Sequence, residues 1–199
     1  WRNNDSEENR IFYDAESFSI HRSKACLKVE RDVSMEKSKA KIRRIDEKDT
    51  KKLSEAASLI KEVFMEFNAP DYSNEGVKSF IDFVDNEETA RLLEYFGAYE
   101  ENVIKGVIAV MKTENHICCF FVKADSHGKG IARQLWEHLK DSRGKGIFTV
   151  NSSPYAVPIY RKLGFEATGK EQIQDGIRFT PMKWDGGSHM PAEVINDDR

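Results

Sequence analysis

Residues 126–135 read SHGKGIARQL, with two glycines one residue apart, a lysine between them, and then the start of an apolar helical run. Just upstream, HICCFFV (116–122) is β-branched and aromatic enough for a strand, so the glycine loop joins a strand to a helix whose Ile131, Leu135 and Leu139 share one face. The first turn of a helix leaves four N–H groups without internal partners, and such an end attracts anions. Glycines at 128 and 130 remove the Cβ atoms that would hold a phosphate off the backbone, and they permit positive φ. Lys129 adds a screened positive charge. An ordinary glycine turn ahead of a surface helix is the plain alternative. Two phosphate motifs are excluded by spacing. A Walker loop needs G-x-x-x-x-G-K-[ST], but Gly130 follows Lys129; a dinucleotide loop needs G-x-G-x-x-G, but Arg133 takes the place of the third glycine.

At 199 residues, 39% hydrophobic and 33% charged, the chain is long enough to close one sizeable core. A net charge of −3 supplies no basic field for nucleic acid. No apolar run approaches the roughly 20 residues that span a bilayer, so no membrane partner is expected. Cys26, Cys118 and Cys119 make an odd set, which argues against a disulfide framework. The adjacent pair is expected to point to opposite faces of one strand and to serve packing rather than thiol catalysis. With no N-terminal apolar segment ending in a cleavage site, a reducing, cytoplasmic setting is expected.

The ends of the chain differ from its middle. GSHM (187–190) resembles the remnant left when a purification tag is cut off, and residues 187–199 are read as a scar and tail. Residues 1–34 are read as an appended segment of unknown role, and residues 35–186 as the functional domain, its natural start expected at Met35. Residues 190–199 and 1–34 are expected to belong to one additional segment. Within the domain, KIRRI (41–45) alternates like a strand, and residues 49–67 carry Leu53, Ala56, Ala57, Ile60, Val63, Phe64 and Phe67 at helical spacing. Ser73 can cap a second helix whose stripe is Val77, Phe80, Ile81 and Val84. LLEYFGAYE (92–100) and VIKGVIAVMKT (103–113) read as a strand pair, followed by the 116–122 strand, the loop and its helix. GIFTV, the short helix YAVPIYRKL, and the strands FEATG and IRFTPMKW complete the order β-α-α-β-β-β-α-β-α-β-β. Such an order builds an α/β or mixed α+β fold, a sheet with helices on both faces. On the helix after the loop, Trp136 is expected to cover an edge and His138 to lie at the surface.

Strand, [QR]-x-x-G-x-[GA], helix, strand, then a helix containing Y-x-K-L-G-F resembles the GNAT superfamily of N-acetyltransferases. The matching pieces are residues 127–132 and 160–165, and the resemblance covers about residues 41–184. It implies a central, mostly antiparallel twisted sheet of about six to seven strands flanked by about four helices. It also implies acetyl-CoA as co-substrate. In that frame Phe120, Phe121 and Val122 pair with the pantetheine, the loop His127, Gly128, Lys129, Gly130, Ile131 and Ala132 holds the pyrophosphate, and Tyr160 approaches the thioester sulfur as the catalytic residue. There are two departures. His127 stands where the family usually has Gln or Arg. Ahead of Tyr160 the family often shows Asn seven residues earlier and Ala four earlier; here those places hold Ser153 and Ala156, while Asn151 lies two residues further back, so Asn151 and Ser153 are the candidates to contact the cofactor.

The implied reaction moves an acetyl group to a primary amine, on a small molecule or a peptide, by direct attack on the thioester. A lysine-like amine of pKa about 10.4 costs on the order of 4.6 kcal/mol to deprotonate at pH 7, so a base or water chain is expected. Glu94, Glu100, Glu114 and His116 are the candidates, with solvent exposure their default. For the oxyanion, a strand N–H near Phe121 or Val122 is the family-style donor. A phenol of pKa about 10 will not fully protonate a thiolate, so Tyr160 is expected to act by a hydrogen bond. Tyr72 lies between the first two helices, a region that lines the acceptor cleft in this family; packing is its plainer role. The competing readings are a non-catalytic acyl-CoA-binding module and a partner-binding protein. A homodimer stays open.

Overall fold

The computed structural model describes residues 40–144 and 146–186, so the readings of residues 1–34 and 187–199, and the expected start at Met35, fall outside the described residues. The elements are β1 (Lys41–Ile45), α1 (Thr50–Phe67), α2 (Asn74–Asp85), α3 (Glu87–Leu92), β2 (Leu93–Glu100), β3 (Val103–Met111) and β4 (His116–Val122), then α4 (Ile131–Arg143), β5 (Ile147–Ser152), α5 (Val157–Lys162), β6 (Glu166–Ala167), β7 (Gln172–Gln174) and β8 (Ile177–Asp185). The strands join in the order β1-β2-β3-β4-β5-β8-β6, with β7 pairing β8. Every pairing is antiparallel except β4 with β5. The expected mixed sheet with helices on both faces is therefore what the chain forms.

Local chemistry explains the boundaries. Asp49 caps α1 by accepting from the Lys52 amide, and Ser73 caps α2 by accepting from the Gly76 amide at 3.1 Å. Two elements escape hydrophobic periodicity because they are short. Helix α3 has six residues and is capped by Asn86, whose side chain accepts from the Thr89 amide at 3.0 Å. It takes in Leu92, which was expected to open β2 and is instead 56% exposed. Strand β7 turns into β8 through Asp175 (φ 50°) and Gly176 (φ 74°), an Asp-Gly turn whose twist suits a hairpin.

Two cores form, one on each face of the sheet. Ile108, Val110, Phe148 and Met182 pack with Ile131, Leu135 and Leu139 of α4; Val107, Ala109 and Cys119 pack with Leu59, Ile60 and Val63 of α1. Trp136 is not at an edge. It is 1% exposed, its ring set edge-on to Phe148 (4.9 Å) and Trp184 (5.3 Å), because the stripe that α4 buries is wide enough to take in a residue one step off its centre. His138 is likewise half-buried, edge-on to Phe96 at 5.4 Å. Cys118 and Cys119 do not take opposite faces. The β3–β4 register runs Ala109↔Cys119 and then Val110↔Ile117, which leaves Cys118 as the extra residue of a bulge, and both sulfurs belong to the α1 side.

The α2 N-terminus sits directly on the β7–β8 turn: a Cβ on Gly76 would stand 2.1 Å from the Gly176 carbonyl oxygen. Gly76→Ala is expected to overpack this contact and lower stability by about 1–3 kcal/mol, read as a lower denaturant midpoint at an unchanged slope.

Candidate active site

Strands β4 and β5 meet over two pairs, His116↔Thr149 and Ile117↔Val150, and then part. Past that point residues 119–122 of β4 ladder only with β3, while Asn151 and Ser152 of β5 ladder only with β8. The Cys118 bulge lies at the point of separation, where the extra residue bends its strand. The gap opens into a cleft of about 680 Å³ that is walled by α1, α2, β4, the glycine loop, β5 and α5.

The glycine loop closes one end. Gly128 (φ 77°) and Gly130 (φ 81°) are both left-handed, and Gly130 is the residue before α4, with no side-chain cap. The first α4 bond runs from the Gln134 amide to the Gly130 carbonyl. Among the described residues, the amides of residues 128–133 donate to no protein group. A Cβ on Gly128 would meet nothing within 4 Å, so the backbone there faces open space. Lys129 belongs to this loop and Arg133 to the first turn of α4, and both line the cleft, as does Lys162 of α5. This is a nest of donors with a positive rim, the chemistry that binds a phosphate or diphosphate.

The residues expected to hold the coenzyme, and Tyr160, all line this one cleft: Phe120, Phe121 and Val122 on β4, residues 127–132 of the loop, Asn151 on β5, Ser153 just after it, and Tyr160 on α5. His127 turns back on its own strand. Its Nε2 lies 2.8 Å from the Val122 carbonyl, a partner that can only accept, so Nε2 carries the proton and donates. Ala156 caps α5, its amide bonded to the Ser153 carbonyl at 3.0 Å, and Pro158 falls in the first turn, where a missing N–H breaks nothing. Tyr160 is 6% exposed, edge-on to Phe120 (6.0 Å) and Phe165 (5.2 Å). Burial raises its phenol well above the ordinary range, with Cys119 and Cys118 adding to the shift, and its hydroxyl has no protein hydrogen-bond partner among the described residues. It is a protonated donor held at the wall.

None of the four base candidates lines the cleft. Glu94 is held by Arg44 and Arg143, each at 2.6 Å. The His116 Nδ1 lies 2.8 Å from the Thr149 hydroxyl, and burial lowers its pKa. Tyr72, read first as packing, does line the cleft; burial pushes it up to about 12. The sequence offered little sign of Asn68, whose Nδ2 donates to the Ser153 hydroxyl at 2.7 Å across 85 residues of chain, joining the end of α1 to the β5–α5 turn. Phe67 seconds that bridge by stacking on Tyr155 at 5.1 Å.

Cys118 lines the cleft, yet burial pushes its thiol up to about 11. Since the thiolate is the reactive form, iodoacetamide at pH 7.5 is expected to alkylate Cys118 about a hundredfold more slowly in the native protein than after denaturation. Peptide mass spectrometry reads the rate, which should climb about tenfold per pH unit and level off only near pH 11.

Comparison with known proteins agrees with this architecture. Residues 68–185 match the family described as acetyltransferase (GNAT) domain. Among solved structures, a GCN5-related N-acetyltransferase from Rhodopseudomonas palustris superposes with a TM-score of 0.62 at 23% identity, covering 74% of this chain and 96% of that one. An N-acetyltransferase from Thermoplasma acidophilum, solved in complex with coenzyme A, gives 0.57 at 18% identity, with 74% and 99% covered. A peptidyl-lysine N-acetyltransferase, YjaB, of Salmonella typhimurium is 31% identical over 67 residues, 33% of this chain and 46% of that protein. The match thus spans about half the length of that curated relative. With more than half of the chain inside the family match, this protein belongs to the GNAT acetyltransferase family.

Proposed function

We propose that the chain moves an acetyl group from acetyl-CoA to an amine nitrogen by direct attack on the thioester. The observation that carries this reading is the run of six unpartnered amides at residues 128–133, beside a strand edge that opens toward Tyr160. The fit to a coenzyme is chemical. A diphosphate needs several N–H donors converging without intervening side chains, and the two left-handed glycines provide that surface. Lys129, Arg133 and Lys162 suit the remaining phosphate charge. The unpaired side of residues 119–122 suits an extended amide chain that adds to the sheet edge. Asn151 offers a side-chain amide to the same groove. Ser153 is already engaged by Asn68, so its part is to hold the groove's wall.

His127 plays another part than a charged loop residue would: its donation to Val122 ties the loop to the end of β4 and sets the distance between diphosphate and thioester sites. An N–H near Phe121 or Val122 stabilises the oxyanion as the acetyl carbonyl is attacked. Tyr160, protonated across the working range, donates a hydrogen bond to the departing sulfur. The sign is simple. Raising an acid's pKa favours its neutral form, so Tyr160 keeps its proton as pH rises through 9. Two free cysteines, Cys118 and Cys119, suit a reducing, cytoplasmic setting. A non-catalytic acyl-CoA-binding module is the second reading, favoured by the absence of Asp or Glu among the described lining residues.

Acetylated amine, identified by mass spectrometry with stoichiometric release of free thiol, separates the two readings. Tyr160→Phe is expected to lower kcat by about 10- to 150-fold, the loss of one hydrogen bond to a charged group at about 1.5–3 kcal/mol, while the Kd for acetyl-CoA moves less than about twofold. Gly128→Ala, at φ 77°, is expected instead to raise the KM for acetyl-CoA by about 5- to 30-fold, since a left-handed L-residue costs about 1–2 kcal/mol.

A further inference from the structure

One wall of the cleft is built of rings. Tyr72 stands 5.6 Å from Phe64, Phe64 stacks on Phe80 at 4.0 Å with 18° between planes, and Phe80 tilts against Phe121 at 5.9 Å. All four line the cleft, and they come from four places in the chain: the turn after α1, then α1, α2 and β4. They form one continuous aromatic wall. Among the described residues no Asp or Glu lines the cleft, and its lining cations, Lys129, Arg133 and Lys162, lie on the loop, in the first turn of α4 or on α5. Carboxylates on flanking elements are already paired: Glu62 with Lys123 at 3.0 Å, Asp125 with Lys105 at 2.9 Å, and Glu171 with Arg178 at 2.7 Å. Asp71 and Glu66 act on Tyr72 and Tyr155 from outside the lining.

An alkyl ammonium is poorly served by this environment. The ring faces would attract its charge, but only the neutral form attacks a thioester, and no carboxylate among the described lining residues is there to take the proton. At pH 7 only about one such molecule in a few thousand is neutral. An aromatic amine meets none of these obstacles. Its nitrogen is uncharged at pH 7, because the lone pair is shared with the ring, and the ring can extend a stack that Phe64 and Phe80 already begin.

Resting on the acetyl-transfer reading above, we propose that the preferred acceptor is a neutral aromatic amine, seated against the Tyr72, Phe64, Phe80 and Phe121 wall. The amine nitrogen forms a C–N bond to the acetyl carbon, the C–S bond breaks, and the proton lost by nitrogen ends on the coenzyme sulfur. The products are an N-aryl acetamide and free coenzyme A thiol.

The test compares 4-methylaniline, spermidine and a lysine-containing peptide at saturating acetyl-CoA, with the full chain, product mass and thiol release. The expected result is a kcat/KM for 4-methylaniline at least tenfold above the other two. Phe80→Leu should raise the KM for 4-methylaniline at least threefold and leave the Kd for acetyl-CoA unchanged by calorimetry, which also shows that the variant is folded; Phe80→Tyr should keep the wild-type KM. Turnover of 4-methylaniline no faster than that of the peptide or spermidine, including none at all, overturns the proposal. If coenzyme A is bound and either of those alkyl amines is acetylated faster, acetyl transfer stands and only the acceptor class falls. If coenzyme A is not bound, both fall together.

Discussion

The parting of β4 from β5 governs the molecule. On either side of it the sheet is continuous, β1 to β4 in one antiparallel run and β5 to β8 in another, and only two residue pairs join the halves. A strand edge left open inside a protein leaves backbone polar groups that must find partners, so an unfilled gap is tolerable only where water or a ligand can reach it. Here the bulge at Cys118 turns β4 away, while α4 and α5 close over the face of the sheet below the opening. The glycine loop then begins a helix at the mouth of the gap, so its unpartnered amides face the same space as the unpaired strand edge. One geometric choice thereby opens two sets of backbone groups to a single cleft.

The cleft is chemically divided. Its glycine loop holds open amides beside Lys129, and the wall from α1, α2 and β4 holds stacked rings. Each part lowers the other's competition for the wrong part of a ligand, since a phosphate gains nothing among aromatic faces and a ring gains little in a nest of N–H groups. Burial between them keeps the Tyr160 phenol protonated and the Cys118 thiol unreactive. The Asn68–Ser153 hydrogen bond and the Phe67–Tyr155 stack tie the two walls together, so the division is held by contacts that span the gap.

Much of this was legible in the chain. Gly128, Lys129 and Gly130 between a strand and a helix announced the nest, because each part depends on residues within one helical turn of it. The cap at Ser73 could be read for the same reason. The failures share a different cause. Trp136 looked peripheral on its own helix, but how much of a helix face is buried depends on the sheet beneath it. Cys118 and Cys119 looked alternating, but a bulge is a property of two strands and cannot be seen in one. β7 and α3 were too short for periodicity, although Asp175-Gly176 and Asn86 carry turn and cap signals.

The sequence by itself determined the types of the longer elements and the glycine loop between β4 and α4, since φ preferences, capping and hydrophobic spacing act over a few neighbouring residues. Only the tertiary structure decided that Asn68 meets Ser153, that four rings from separate elements form one wall, and that no acidic side chain joins them among the described residues. Those facts follow from strand register and helix placement, which depend on contacts across the whole chain and have no signature in any short stretch of it.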